Sequence, residues 1–145
     1  VLKEGVELRS SPSSNPLTPN HPTTLSTRSA KAEIIIGKRT GLTGATVVAE
    51  EGVEIGEHSA IGANVKIVDT DFHPVDPDTR RENFLEGESA PIRIGENVFI
   101  GMDSIILKGV TIGSESVVAA GSVVSSNVPP SCLVAGNPAK VVREI

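Results

Sequence analysis

The chain has 145 residues and a formal net charge of −5, with no Trp, no Tyr and three Phe. The acidic balance without a basic run argues against nucleic acid as a partner, and one cysteine, Cys132, excludes an internal disulfide framework. No apolar run is long enough for a membrane span and no signal peptide follows Val1, so we expect one domain, 1–145, in a cytoplasmic protein.

A six-residue repeat organises most of the chain, and its most regular feature is an aliphatic residue or alanine at one fixed position. In chain order these positions are Ile36, Leu42, Ala49, Ile55, Ile61, Ile94, Ile100, Ile106, Ile112, Val118 and Val124, with one extra residue before Ala49. Leu2, Gly5 and Val6 fit the same phase, which predicts that a first coil begins at the N-terminus. Neither a helix nor an alternating strand explains a period of six.

The other hexad positions support the same phase. Four residues after each aliphatic position stand only Ser, Thr or Val: Thr40, Thr46, Val53, Ser59, Val65, Val98, Ser104, Val110, Ser116, Ser122 and Val128. The residue before these is Gly, Asn or Asp in seven hexads: Gly52, Asn64, Asn97, Asp103, Gly109, Gly121 and Asn127. Because these three types tolerate positive φ, each hexad predicts a short strand and a tight corner. The sequence therefore predicts an all-β parallel solenoid whose ends need caps.

The repeat fails in three segments, where loops on a rigid scaffold tend to carry function. Residues 9–30 are rich in Ser, Pro, Thr and Asn, which predicts a long loop without regular structure. Ile67 and Ile94 are 27 residues apart, which is not a multiple of six, so the register is lost in the segment 68–91. The C-terminal tail, 134–145, is predicted to cap the last coil.

The segment 68–91 contains the strongest candidate for chemistry. Asp71, His73, Asp76, Asp78, Arg80 and Arg81 lie within eleven residues. A histidine can act as a general base, and a carboxylate such as Asp71 or Asp76 can orient it and raise its basicity. Arg80 and Arg81 suit an anionic or polyhydroxyl ligand. A charged loop exposed to solvent is the alternative interpretation.

The remaining histidines and the cysteine favour structural roles. His58 occupies a corner position of its hexad, and His21 lies in the N-terminal loop without a visible partner. Neither forms a close pair with His73, so we expect no metal site. Cys132 follows two prolines with no histidine near it in sequence, which favours a buried structural thiol.

Two segments resemble a known family. IGENVFIGMDSIILKGVTIGSESVVAAGSVVSSNVPPSCLVAGNPAKVVREI is similar to the C-terminal half of the hexapeptide-repeat O-acetyltransferases, and VDTDFHPVDPDTRR resembles their active-site loop. The resemblance runs from about residue 33 to the end. It is strongest to sugar O-acetyltransferases related to the maltose and galactoside enzymes, in the branch associated with polysaccharide and lipopolysaccharide gene clusters.

The resemblance implies a single-stranded left-handed parallel β-helix that assembles as a homotrimer with active sites between subunits. Acetyl-CoA would be the donor, and His73 would take a proton from a hydroxyl of a sugar or polysaccharide precursor as its oxygen attacks the thioester. No covalent acetyl-enzyme is implied, since no activated nucleophile is apparent.

Further positions are carried over from the family. Those implied for coenzyme A are Met102, Ala120, Ser125 and Ser126, with Lys140 and Arg143 towards the nucleotide end. Asp71 falls in the acceptor pocket. The sequence departs from the pattern twice: Gly44 stands where many galactoside-type members have an asparagine, and Ser126 stands where they have a lysine.

Other functions are compatible with the same sequence. A serine- or drug-acetylating relative would share the scaffold, although the serine enzymes usually carry an extra helical N-terminal domain. A zinc-dependent hydratase or a non-catalytic scaffold would also fit the repeat, and the metal content and coenzyme A binding of the protein would distinguish these.

Overall fold

A computed structural model describes all residues, 1–145. The strands are β1 (Glu7–Arg9), β2 (Thr24–Thr27), β3 (Glu33–Ile36), β4 (Gly41–Thr43), β5 (Thr46–Ala49), β6 (Gly52–Ile55), β7 (Ala60–Ile61), β8 (Lys66–Val68), β9 (Ile92–Ile94), β10 (Phe99–Ile100), β11 (Ile105–Ile106), β12 (Thr111–Ile112), β13 (Val117–Val118), β14 (Val123–Val124), β15 (Cys132–Gly136) and β16 (Ala139–Glu144). One α-helix, α1 (Pro77–Glu82), and one 3-10 turn, Pro12–Ser14, complete the secondary structure.

The strands form the three faces of a prism. Face 1 contains β3, β6, β9 and β12, face 2 contains β1, β4, β7, β10, β13, β15 and β16, and face 3 contains β2, β5, β8, β11 and β14. The chain visits faces 1, 2 and 3 in turn, and every pair of neighbouring strands is parallel except β15 and β16. The expected left-handed parallel β-helix is confirmed.

The interior contains the aliphatic column that the repeat predicts. All eleven residues at the fixed position are buried, none more than 2% exposed. Buried hydroxyls alternate with them and donate to backbone carbonyls of the adjacent coil, as Thr40 Oγ1 does to Gly56 O at 2.8 Å and Ser116 Oγ to Pro129 O at 2.8 Å. Because each buried hydroxyl has a partner, the small polar residues enter the core without the cost of an unsatisfied group.

Most corners use left-handed backbone, as predicted. Among the seven predicted corner residues, five have positive φ: Asn64, Asn97, Asp103, Gly109 and Gly121. The prediction was wrong for Gly52, which begins β6, and for Asn127, whose side chain instead accepts from Thr111 N at 2.8 Å. Arg39, His58 and Glu115 adopt positive φ although they are bulkier, so the corner geometry follows the coil rather than the residue type alone.

The coil between Leu42 and Ala49 differs from the predicted register. Val47, which pairs with Ile67 of the next coil, lies five residues after Leu42. The usual spacing between core positions is six, so the corner between these two residues is shorter by one residue. Thr46, which was predicted to point inward, is only half-buried. The extra residues lie after Val47, where the chain passes from face 3 to face 1.

Both ends of the chain are more regular than predicted. Strand β2 lies within the segment 9–30 and pairs in parallel with β5, and Leu2 bridges to Ile36, so the N-terminal residues form a first coil. At the other end, Val134 belongs to β15, the last parallel strand of face 2, and Cys132 at its start is buried as expected. The cap is β16, which covers the edge of β15 with an antiparallel partner.

The prism has three edges, which we call edge 1–2, edge 2–3 and edge 3–1 after the faces that meet there. The 68–91 loop leaves β8 on face 3 and returns to β9 on face 1, so it projects from edge 3–1. Its helix α1 has six residues, too few to cross a membrane.

Candidate active site

The base of the 68–91 loop is anchored by Asp69, a fully buried carboxylate. Its oxygens accept from the backbone N–H groups of Glu50, Glu51 and Gly52 at 2.7, 2.8 and 2.8 Å, which form the same edge one coil earlier. Three N–H donors satisfy a buried carboxylate in the way that a bound anion is held. The loop therefore leaves the prism from a fixed point.

The outgoing and returning strands of the loop are joined above this point. Asp71 N donates to Glu88 O at 2.9 Å, and Lys108 Nζ lies 3.2 Å from Asp71 Oδ2 and 2.9 Å from Glu88 Oε2. Lys108 comes from the next coil, at the same edge. The hydrogen bond to Glu88 and then that to Asp71 raise the pKa of the Lys108 ammonium, so it stays protonated between them.

Helix α1 forms the outer part of the loop. The Asp76 carboxylate caps it, accepting from Thr79 N and Thr79 Oγ1, each at 2.8 Å, and these bonds lower the pKa of Asp76. Arg80 donates from one guanidinium nitrogen to Pro74 O at 2.8 Å and Val75 O at 2.9 Å. The Asp76 cap and the Arg80 hydrogen bonds therefore hold residues 74–76 against helix α1.

His73 is held by Phe84, two residues after the end of the helix. Its Nδ1 lies 2.6 Å from Phe84 O, and the rings of His73 and Phe84 have centroids 4.1 Å apart with a tilt of 36°. Because a carbonyl oxygen only accepts, Nδ1 carries the proton in this bond and Nε2 keeps its lone pair. We expected Asp71 or Asp76 to orient His73; instead Asp71 pairs with Lys108, Asp76 caps α1, and the orienting group is a backbone carbonyl.

The backbone at His73 is tightly fitted. Phe72 has φ of 61°, which is unusual for a bulky residue, and its N–H donates to Thr70 Oγ1 at 3.1 Å. A Cβ at Gly87 would lie 2.6 Å from His73 N, so only glycine allows the returning chain to pass. Arg28 from the first coil stacks over the Phe72 ring, 5.0 Å from its centroid.

The positions carried over for coenzyme A fall into three groups. Met102 and Ala120 lie on successive coils at edge 2–3, where Gly121 N donates to Met102 O at 2.9 Å. Ser125 and Ser126 are exposed at edge 3–1, the edge of His73. Lys140 and Arg143 are exposed on β16. Gly44, where the family pattern has an asparagine near the catalytic histidine, also lies at edge 2–3. One chain therefore places parts of one expected site on two different edges.

The three histidines lie at three different edges. His58 has φ of 57° at edge 1–2, which confirms its corner position, and His21 lies in the segment from β1 to β2 near edge 2–3 with its Nδ1 2.9 Å from Pro22 O. No group of three or more His, Cys, Asp or Glu side chains comes together as metal ligands.

Several residues of the site have little or no sequence signal. The Phe84 contribution is a backbone carbonyl, which no residue type reveals. The hexad repeat does not explain Gly87, so this glycine could have been predicted to mark a close contact between backbone segments. Asp69 and Lys108 flank strand ends and look like ordinary surface residues until the coils are stacked.

Comparison with known proteins gives one family. The chain matches the family model described as hexapeptide repeat of succinyl-transferase over residues 33–68 and 91–126. It is 44% identical over 100 residues to a galactoside O-acetyltransferase of Escherichia coli (strain K12), an alignment that covers 69% of this chain and 48% of the relative. The chain spans less than half the length of the curated relatives it matches.

Solved structures agree with this result. A hexapeptide-repeat-containing acetyltransferase of Vibrio cholerae O1 biovar eltor, complexed with acetyl coenzyme A, is 34% identical with a TM-score of 0.72, and the match covers 84% of this chain and 69% of that one. A galactoside acetyltransferase in complex with coenzyme A is also 34% identical, with a TM-score of 0.76, over 97% of this chain and 65% of that one.

Proposed function

We propose that this chain, which belongs to the family of hexapeptide-repeat acetyltransferases, transfers an acetyl group from acetyl-CoA to a hydroxyl of a sugar or polysaccharide precursor. The observation that carries the proposal is the hydrogen bond from His73 Nδ1 to Phe84 O, which leaves Nε2 as a fixed proton acceptor on an exposed loop. The relatives named as galactoside O-acetyltransferases and the acetyl-CoA and coenzyme A complexes support the donor and the class of acceptor.

In the proposed reaction His73 Nε2 takes the proton of the acceptor hydroxyl. The hydroxyl oxygen forms a C–O bond to the acetyl carbonyl carbon as the C–S bond breaks, and the departing thiolate takes the proton from His73 to give free coenzyme A. A positioned base of this kind contributes about 10²–10⁴-fold to the rate. No residue of the chain is needed as a covalent acetyl carrier.

Coenzyme A in this proposal lies along the C-terminal coils. Met102 and Ala120 would line the pantetheine arm, Ser125 and Ser126 would offer hydroxyls, and Lys140 and Arg143 would meet the phosphates. Lys140 and Arg143 fit this role because both are exposed and neither is neutralised by a carboxylate. Asp71 is paired with Lys108, and Arg80 donates to the backbone carbonyls of the loop. In this proposal both residues support the loop and do not contact the acceptor.

The active sites in this proposal lie between subunits of a homotrimer. His73 projects from edge 3–1, whereas Gly44, Met102 and Ala120 lie at edge 2–3 of the same prism. A symmetric trimer that sets edge 3–1 of one subunit against edge 2–3 of the next joins the two groups.

The test replaces His73 with Asn, which keeps the size of the side chain but removes the base. We expect the variant to keep its melting temperature and its coenzyme A affinity while thiol release with a sugar acceptor falls by about 10²–10⁴-fold. Unchanged turnover in a correctly folded variant would exclude His73 as the base. A panel of sugar, serine and drug acceptors in the same assay separates the related acetyltransferase activities.

A further inference from the structure

A cleft of about 480 Å³ lies on face 2, away from the His73 loop of the same chain. Its floor is made of outward positions in neighbouring strands, Gly41 of β4 and Ala60 of β7, which are in register with Phe99 of β10. A Cβ at Gly41 would meet no atom within 4 Å, so the space above the floor is open. This volume is in the range of small-molecule sites.

Phe99 forms one wall of the cleft and is 50% exposed. It is one of only three phenylalanines in a chain without Trp or Tyr. An aromatic face next to small residues suits the apolar face of a sugar ring. Asn15, from the segment after β1, adds a side-chain amide at the opposite wall.

Arg39 brings a positive charge to the cleft at edge 1–2, and His58 lies beside it. Arg39 and His58 occupy the same corner on successive coils, with φ of 54° and 57°. Neither side chain makes a hydrogen bond or an ion pair within the protein, whereas Arg9, also in the cleft, is neutralised by Glu7 at 2.9 Å. Both side chains are larger than that of Asn97, which occupies the same corner of the next coil, so this end of the cleft has two larger polar side chains.

The other end of the cleft reaches edge 2–3. Gly62 lines the cleft there, and a Cβ at Gly62 would lie 2.7 Å from Met102 N, so the floor continues directly beneath the position proposed for the pantetheine arm. A ligand in the cleft would thus lie beside the donor thioester of the proposed reaction.

We infer that this cleft binds a saccharide that carries a carboxylate, such as a uronic acid unit, as the acceptor. The inference rests on the proposed function for the role of the ligand as acceptor. The Arg39 guanidinium offers a planar fork that pairs with a carboxylate through two hydrogen bonds, and the sugar ring lies on the Gly41–Ala60 floor against Phe99. His58 adds a second polar contact at the same corner.

The experiment measures binding in the absence of acetyl-CoA. A tetrasaccharide that contains glucuronic acid is titrated into the full chain by calorimetry, and its carboxyl-reduced, neutral form is the matched ligand. We expect the acidic form to bind at least tenfold more tightly. Arg39→Asn, which removes the guanidinium but suits positive φ, should abolish that preference. Lys38→Gln, which removes a neighbouring cation outside the cleft, should keep it.

Equal affinity for the two tetrasaccharides, or a preference that survives in Arg39→Asn, would overturn the inference. The same tetrasaccharide with sulfate in place of carboxylate separates carboxylate recognition from general anion binding, and tighter binding of the sulfated form also counts against it. Failure of this inference can be distinguished from failure of the proposed function. If His73→Asn binds the acidic tetrasaccharide but shows no turnover, the cleft still binds a carboxylated saccharide. If the wild-type protein acetylates only neutral sugars, the acetyl transfer stands and the inference about the cleft does not.

Discussion

The imidazole of His73 is hydrogen-bonded to the backbone oxygen of Phe84, eleven residues later, with 2.6 Å between Nδ1 and the oxygen. The helix between them turns the chain back, so the residue that supplies the carbonyl also stacks its ring on the imidazole. A carbonyl fixes the tautomer as a carboxylate does but adds no negative charge beside the ring. Side-chain substitution at Phe84 removes the stacking and leaves the carbonyl in place.

If each active site is built from two subunits, two inactive variants should restore activity when they form mixed trimers. His73→Asn lacks the base, and Ala120→Trp fills edge 2–3 where coenzyme A is proposed to lie. When the two are co-expressed, about a quarter of the interfaces in a randomly mixed trimer combine an intact His73 with an intact Ala120. We therefore expect thiol release to return to about that share of the wild-type rate.

The control for this mixture is His73→Asn co-expressed with a chain that carries both substitutions, which has no intact site in any arrangement. A mixture as inactive as this control would show that both groups act within one chain or that no mixed trimer forms. A different affinity tag on each of the two variants distinguishes these two results, because only mixed trimers are retained by both tags.

Lys108 is predicted to position the His73 loop rather than to stabilise the prism. In Lys108→Met we expect faster amide hydrogen exchange at 69–91 and a kcat lower by about tenfold to a hundredfold, because a displacement of about 1 Å in a catalytic group has effects of that size. Exposed ion pairs contribute only about 0.2–1 kcal/mol, so Tm should change little. Lys108→Arg should recover most of the kcat.

The pH dependence of this ion pair follows from the raised pKa of Lys108. Its contribution is complete below the ordinary value of 10.5 and is lost only as the pH rises through the higher value in the folded protein. Exchange at 69–91 should therefore show no Lys108-dependent change across the neutral range. A neutral-range transition that disappears in Lys108→Met would contradict this assignment.

Gly87→Ala is predicted to displace His73 without unfolding the β-helix. The added Cβ would lie 2.6 Å from His73 N and from Phe72 C, so the loop must move. We expect kcat to fall by about 10²-fold, as for a misplaced catalytic group, while the coenzyme A affinity stays constant. Gly52→Ala is the matched control, since its Cβ would meet its nearest neighbour, Glu33 O, at 3.6 Å. Equal activity of the two variants would argue that the loop tolerates the shift.

Asp69→Asn is predicted to destabilise the fold at edge 3–1. An amide has one accepting oxygen and presents its NH₂ group to donors, so at least one of the N–H groups of Glu50, Glu51 and Gly52 loses its partner. Each buried group left unsatisfied costs about 1–3 kcal/mol, which urea unfolding would detect. Asp103→Asn, at an exposed corner with φ of 57°, should leave the unfolding free energy nearly unchanged.

The sequence predicted the coils well wherever local rules apply. Ile94, Ile100 and Ile106 are buried as the spacing requires, and Asn97 and Asp103 turn the corners with positive φ. It failed where a distant strand decides the register. Thr46 was assigned inward from a count of residues, but pairing with Lys66 of the next coil places Val47 in the core instead.

The N-terminal segment shows the same limit. Its Ser- and Pro-rich composition indicated a loop, yet Thr24–Thr27 forms a strand because β5 offers an unpaired edge beside it. Burial of the edge of β5 outweighs the weak preferences of the residues themselves, as is usual for strands.

The sequence by itself determined the six-residue period, the identity of the core and the position of His73 in a segment that breaks the period. These properties depend on residues close together in the chain, because each hexad contains its own inward side chain and its own corner. The tertiary structure decided which groups His73, Asp71 and Asp69 contact. Those partners are Phe84 O, Lys108 and the N–H groups of 50–52, and they meet only when a loop returns or one coil stacks on another. Such contacts depend on how the chain is folded in space, which no local pattern of residue types predicts.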